Sequence, residues 1–72
     1  MKLSEAKVCG KYLFLGCLDD NISEWLFSYG FFVGVEVVIL TMGKFGYVVD
    51  CLGTKYTINK SLAEVVLLKS VN

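Results

Sequence analysis

Apolar and polar positions follow two different rhythms along this sequence. Lys11–Leu18 is rich in aromatic and aliphatic residues, the composition of a β-strand. Asp19-Asp20-Asn21 interrupts it, and Ile22, Trp25, Leu26 and Tyr29 follow at i, i+3, i+4 and i+7, one face of a short helix. With Asn21 as N-cap, Glu24 stands at the capping-box position, and the acidic residues suit the positive helix end. Gly30 is expected to stop the helix in the left-handed region. A helix of about two turns is too short to stand alone and must pack on a sheet.

The second half of the chain reads as strands. Gly34 opens Val35–Met42, and Gly43-Lys44-Phe45-Gly46 is a turn. Tyr47–Leu52 and Lys55–Asn59 flank Gly53-Thr54, the chemistry of a two-residue type II′ hairpin. That register pairs Leu52 with Lys55, Cys51 with Tyr56, Asp50 with Thr57 and Val49 with Ile58. It puts Cys51, Tyr56, Val49 and Ile58 on one face. A single helical turn from Asn59 or Lys60 through Ala63 leads into a closing strand, Val65–Leu68. Five short strands and one short helix after the first of them predict a mostly β fold, a small closed or half-open barrel in one domain spanning 1–72.

Composition narrows the function. The chain has 72 residues, 56% of them hydrophobic, more than so small an interior hides, so some must face a subunit or a partner. Seven lysines balance seven carboxylates, and neither arginine nor histidine occurs. Nucleic-acid binding normally needs a basic excess, so it is disfavoured. Without histidine the commonest general base and metal ligand are missing, and no enzyme activity or cofactor is expected. Cys9, Cys17 and Cys51 show no C-x-x-C spacing and read as small buried hydrophobes in a reducing cytoplasm. Asp19, Asp20 and Glu24 read as helix-capping groups, with loose metal binding the alternative.

Trp25–Gly43 invites comparison with a membrane span. It has nineteen residues, one charge at Glu36, and a Gly30-x-x-x-Gly34 spacing. Its β-branched second half favours strand, and the apolar segments flanking it need a common core, so no span is expected.

Three motifs together resemble a family. Leu26 to Val37 is similar to the "L-x-x-x-G-[LF]-x-P-G-x-x-V" signature of ferrous iron transport protein A, the FeoA family. Leu52-Gly53-Thr54 resembles its "R-G-T" hairpin, Ile58 to Glu64 with Val65 after it resembles its "L-x-x-x-x-A-x-x-I" ending, and Leu3-Ser4-Glu5 its opening. The resemblance spans nearly the whole chain. It implies an SH3-like barrel, cytoplasmic and non-catalytic, that assists a membrane ferrous iron permease bearing a GTPase domain. Val33 stands where the family has proline and Leu52 where it has arginine, so the contact implied here is the more apolar.

The candidate contact residues are Phe27, Phe32, Val38, Leu40 and Met42. Phe27 falls off the helix face that Trp25 and Leu26 are expected to bury. Val38, Leu40 and Met42 share the solvent parity of Glu36, an apolar face that points to self-association or partner cover. Gly30, Gly34, Gly53 and Thr54 read as structural turn positions. Besides an accessory to ferrous iron uptake, a metal-binding carrier or sensor domain and a nucleic-acid-binding barrel remain as classes.

Overall fold

The computed structural model describes residues 1–71. A 3-10 turn, Leu3–Glu5, precedes β1 (Lys11–Cys17), α1 (Asp20–Ser28), β2 (Glu36–Gly43), β3 (Gly46–Cys51), β4 (Thr54–Asn59), α2 (Lys60–Ala63) and β5 (Val66–Ser70). The strands form one antiparallel sheet in the order β4-β3-β2-β1-β5. The fold is mostly β, as the strand spacing predicted, and SH3-like, as the family resemblance implied. Strand alternation puts Tyr12, Phe14, Val37, Ile39, Tyr47, Val49, Cys51 and Ile58 on the inner side, where Leu26, Phe31, Leu62 and Leu68 close the core.

The helix starts two residues earlier than its sequence suggests. Asp19, not Asn21, is the N-cap, and its Oδ1 accepts hydrogen bonds from the amides of Asn21 at 3.0 Å and Ile22 at 3.2 Å. Ile22 is then the third helical residue, so Glu24 has no part in a capping box. A carboxylate serving two orphan amides at the positive end of the helix outcompetes the neutral Asn21. At the other end Gly30 has φ +100°, and the amides of Phe31 and Gly30 donate to the carbonyls of Leu26 and Phe27 at 3.1 Å each. That double bond is the Schellman stop. It turns Phe31 back into the core, edge-on to Phe14 at 5.7 Å.

Phe31 therefore takes the interior place expected for Trp25. Trp25 is 52% exposed, and Leu26 is the one residue of α1 that is fully buried.

The β3–β4 hairpin keeps the expected faces but not the expected register. The observed pairs are Cys51 with Thr54, Asp50 with Lys55, Val49 with Tyr56 and Tyr47 with Ile58. Each partner moves by two residues, so Cys51, Val49, Tyr56 and Ile58 still face inward. The turn residues are Leu52 and Gly53, with φ +54° and +85°, and Thr54 is the first residue of β4. Positive φ at both positions is the type I′ requirement, not the type II′ of the sequence reading. Asp50 helps fix it: its Oδ1 accepts from the Gly53 amide at 3.1 Å. Leu52 carries the strain, and with 69% exposure it buries little in return. Leu52→Asn, which supplies the favoured Asn-Gly pair, is expected to stabilise the fold by about 1 kcal/mol, a rise in Tm of roughly 4–8 °C in a thermal melt.

A bulge corrects the reading of β2. Opposite β3, Ile39 pairs with Val49 but Thr41 pairs with Val48, so Leu40 is the extra residue. Parity changes there, and Met42 pairs with buried Tyr47 rather than sharing the outer face of Glu36 and Val38. The bulge lets β2 bend between two neighbours. Its first half pairs with β1, just ahead of which the Cys9 amide donates to the Ile39 carbonyl at 2.7 Å, and its second half pairs with β3 alone.

Candidate protein-docking surface

Aromatic side chains collect on and beside α1. Phe27 and Phe32 meet edge-to-face at 4.7 Å, and they are 63% and 43% exposed. The Schellman stop makes this pair, because it folds the 30–34 segment back along the last turn of the helix. On the other side of α1, Trp25 meets Tyr29 at 4.9 Å and Tyr29 meets Tyr56 of β4 at 6.0 Å. The Tyr56 hydroxyl donates to the Tyr29 carbonyl at 2.8 Å, tying the end of the helix to the hairpin.

Between α1 and β4 lies a cleft of about 200 Å³ lined by Trp25, Leu26, Tyr29, Phe31, Tyr56, Thr57 and Ile58. Trp25 also borders a second hollow of about 300 Å³ with Ile22, Asn59, Ser61, Leu62 and Val65. Its indole is thus a ridge between two depressions along one side of the molecule. No charged side chain lines either one.

Of the residues singled out in the sequence, only Phe27 and Phe32 come together. Val38 and Leu40 lie in the middle of β2, half-buried, and Met42 borders a separate hollow with Phe45 and Tyr47 at the β2–β3 hairpin. Leu13 and Val48 on neighbouring strands are also half-buried, and on the same outer face Lys11 and Asp50 flank Val38 while Glu36 and Lys69 flank Leu13. The outer face is therefore a mosaic of apolar and charged groups, not the bare apolar sheet that parity suggests. Gly34 has φ +91° in the 30–34 segment.

The Trp25, Tyr29 and Tyr56 cluster was missed in the sequence. Its signal in the sequence was the large aromatic pair, Trp25 and Tyr29, within the apolar stripe of a helix of only about two turns.

Chemical groups are sparse. Among the described residues no three side chains of histidine, cysteine, aspartate or glutamate converge as a metal site would need. The Asp19 carboxylate is committed to its cap. Only Cys51 is the buried hydrophobe that the sequence suggested for all three cysteines; Cys17 is half-buried, and Cys9 lies exposed in the loop ahead of β1. Burial, and then the negative charge of Asp50, push the Cys51 thiol above its ordinary value of 9.0. The fold thus favours the neutral thiol. The stability this gives is present in full below pH 9.0 and is lost as pH rises through the raised folded value. Cys51→Ala is expected to remove part of the alkaline loss of stability, measured by denaturant melts from pH 8 upward. In the native protein at pH 8, iodoacetamide should label Cys9 and spare Cys51.

Among the described residues no helix is long and apolar enough to cross a membrane. Trp25–Gly43 is divided between the end of α1, the following loop and β2.

The sequence matches no protein-family model and no curated protein. Solved structures do match. The solution structure of FeoA from Chlorobium tepidum superposes with a TM-score of 0.87 at 23% identity, covering 100% of this chain and 71% of that one. The fold is that of FeoA. A crystal structure of an iron uptake regulatory protein, FeoA, agrees at TM-score 0.85 and 25% identity over 99% of this chain and 96% of that one. FeoA of Stenotrophomonas maltophilia, solved with zinc and described as a prokaryotic SH3-domain protein, agrees at TM-score 0.82 and 25% identity over 96% and 89%. The FeoA likeness thus extends from the opening 3-10 turn to β5.

Proposed function

We propose that this protein is a small cytoplasmic accessory of ferrous iron transport. It acts by protein–protein contact with a membrane permease that carries a GTPase domain. The observation that carries the reading is the set of exposed aromatics on and beside α1, held on a fold shared with FeoA. The Stenotrophomonas protein of that fold is described as a candidate bacterial ferrous iron transport activating factor. Large rigid aromatics are the usual anchors of protein interfaces, and a few of them carry most of the binding energy.

Phe27 and Phe32 are the first anchors of this contact, and Val38, Leu40 and Met42 are secondary. Neutral net charge suits a protein partner better than nucleic acid or anionic lipid. The test is ferrous uptake in a strain lacking the gene, complemented with wild type or with a folded Phe27→Ala, Phe32→Ala double variant. Uptake should fall in the deletion strain, return with the wild type and stay low with the variant, each truncation costing on the order of 1–2 kcal/mol of binding. Normal uptake in the deletion strain would refute the reading.

A further inference from the structure

The sheet has two edges, and the fold treats them differently. The β5 edge is occupied: Lys2 bridges to Leu67, the Leu68 amide donates to the Met1 carbonyl at 2.7 Å, and the Met1 amine donates to the Leu68 carbonyl at 2.9 Å. Among the described residues the β4 edge has no such cover. In a two-residue hairpin the residues flanking the turn exchange both hydrogen bonds, and bonded pairs then alternate with unbonded ones. Cys51–Thr54, Val49–Tyr56 and Tyr47–Ile58 are the bonded pairs, so the amides and carbonyls of Lys55 and Thr57 point away from β3. Among the described residues they make no hydrogen bond to another element. An open strand edge of this kind is a template for a further strand, and proteins ordinarily block it.

This open edge runs beside the aromatic cleft. Thr57 contributes to the cleft lining between Tyr56 and Ile58, and Trp25 and Tyr29 form the opposite wall. Backbone donors and acceptors repeating every two residues, next to an apolar trough, are what strand addition requires. Exposed Lys55 and Lys60 bracket the segment.

We propose that the β4 edge and the adjoining cleft are a strand-addition site. It takes an extended segment of a partner protein, apolar on the side facing Trp25 and Tyr29, with a carboxylate at an end to meet Lys55 or Lys60. A second copy of this chain fits less well. Antiparallel pairing of two β4 strands about Thr57 sets Lys55 of one copy against Asn59 of the other, beside its Lys60, and gathers like charges at both ends. The inference deepens the functional reading above and rests on its claim that the chain works by protein contact.

The test uses the full chain, 15N-labelled, and selection from a library of random twelve-residue linear peptides. Selected peptides should carry apolar residues at alternate positions with Asp or Glu near an end. A synthetic peptide of selected sequence should slow hydrogen exchange of the Lys55 and Thr57 amides at least tenfold. Thr57→Pro removes only an outward amide, which an edge strand tolerates, and should weaken peptide binding at least tenfold with little change in Tm. Should that variant fail to fold, Trp25→Ala is expected to give the same weakening from the cleft side. Proline-rich selected peptides, peptides that bind without protecting either amide, or no selected peptides at all would overturn strand addition. So would protection of Thr57 that grows with protein concentration without peptide, which would assign the edge to a second copy. Complementation separates this inference from the functional one. If deletion abolishes ferrous uptake and folded Thr57→Pro and Trp25→Ala restore it as well as wild type, strand addition fails and the accessory role stands.

Discussion

Gly46→Ala is expected to destabilise the fold severely. A Cβ built on Gly46 runs into the Ile58 carbonyl oxygen and comes within 3.0 Å of the Asn59 Cα. Both are backbone atoms of the neighbouring strand, so no side chain can swing aside. The position also has φ +141°, which an L-residue resists. Overpacking and backbone strain each cost about 1–3 kcal/mol. A domain of this length holds only roughly 4–11 kcal/mol in total, so a loss of about 3 kcal/mol or more consumes much of it. Gly43, which pairs with Gly46 across the β2–β3 turn, is the control. Its nearest such neighbour lies at 3.9 Å and its φ is not positive, so Gly43→Ala should stay within about 0.5 kcal/mol of wild type. Denaturant melts of the two variants decide the point. Equal midpoints would mean that β3 and β4 do not approach as described.

Leu26→Ala carries the second large effect. Leu26 is the sole fully buried residue of α1, and its carbonyl accepts the Phe31 amide that closes the helix stop. Removing a buried leucine side chain costs about 2–5 kcal/mol. A helix this short has no independent stability to fall back on. The expected result is a cooperative transition at lower denaturant with reduced helical signal at 222 nm. Trp25→Ala, half-exposed on the same helix, should cost only about 1 kcal/mol, most of it the edge-to-face contact with Tyr29. A Trp25→Ala loss as large as that of Leu26→Ala would place the indole in the core after all.

Much of the architecture was legible because local chemistry and periodicity agree with the fold. Alternation marked the inner faces of β3 and β4, the acidic run before Ile22 marked a helix start, and Gly30 marked its end. Those faces survived even the wrong hairpin register, since a shift of two residues leaves inward positions inward. Which of two adjacent pairs forms the turn was not legible. Gly53 accepts positive φ in either, and the choice falls on Leu52-Gly53 with the Asp50 carboxylate bonded to the Gly53 amide and the pairing of β4 with β3 set to match.

By itself the sequence determined a mostly β chain with one short helix, an apolar surplus and a balanced charge without arginine or histidine. Tertiary structure decided where that surplus goes. Periodicity names a helix face but not which of its residues reaches the core, and Phe31, swung in by the helix stop, displaced Trp25 outward. A bulge has no signature in an unbroken apolar run, so the exit of Met42 from the face of Val38 appears only once β2 is bent between two partners. The cleft beside β4 is assembled from residues thirty positions apart in the chain, and the openness of its edge depends on which strand each hydrogen bond faces. That is set by pairing in space, and no single segment of sequence encodes it.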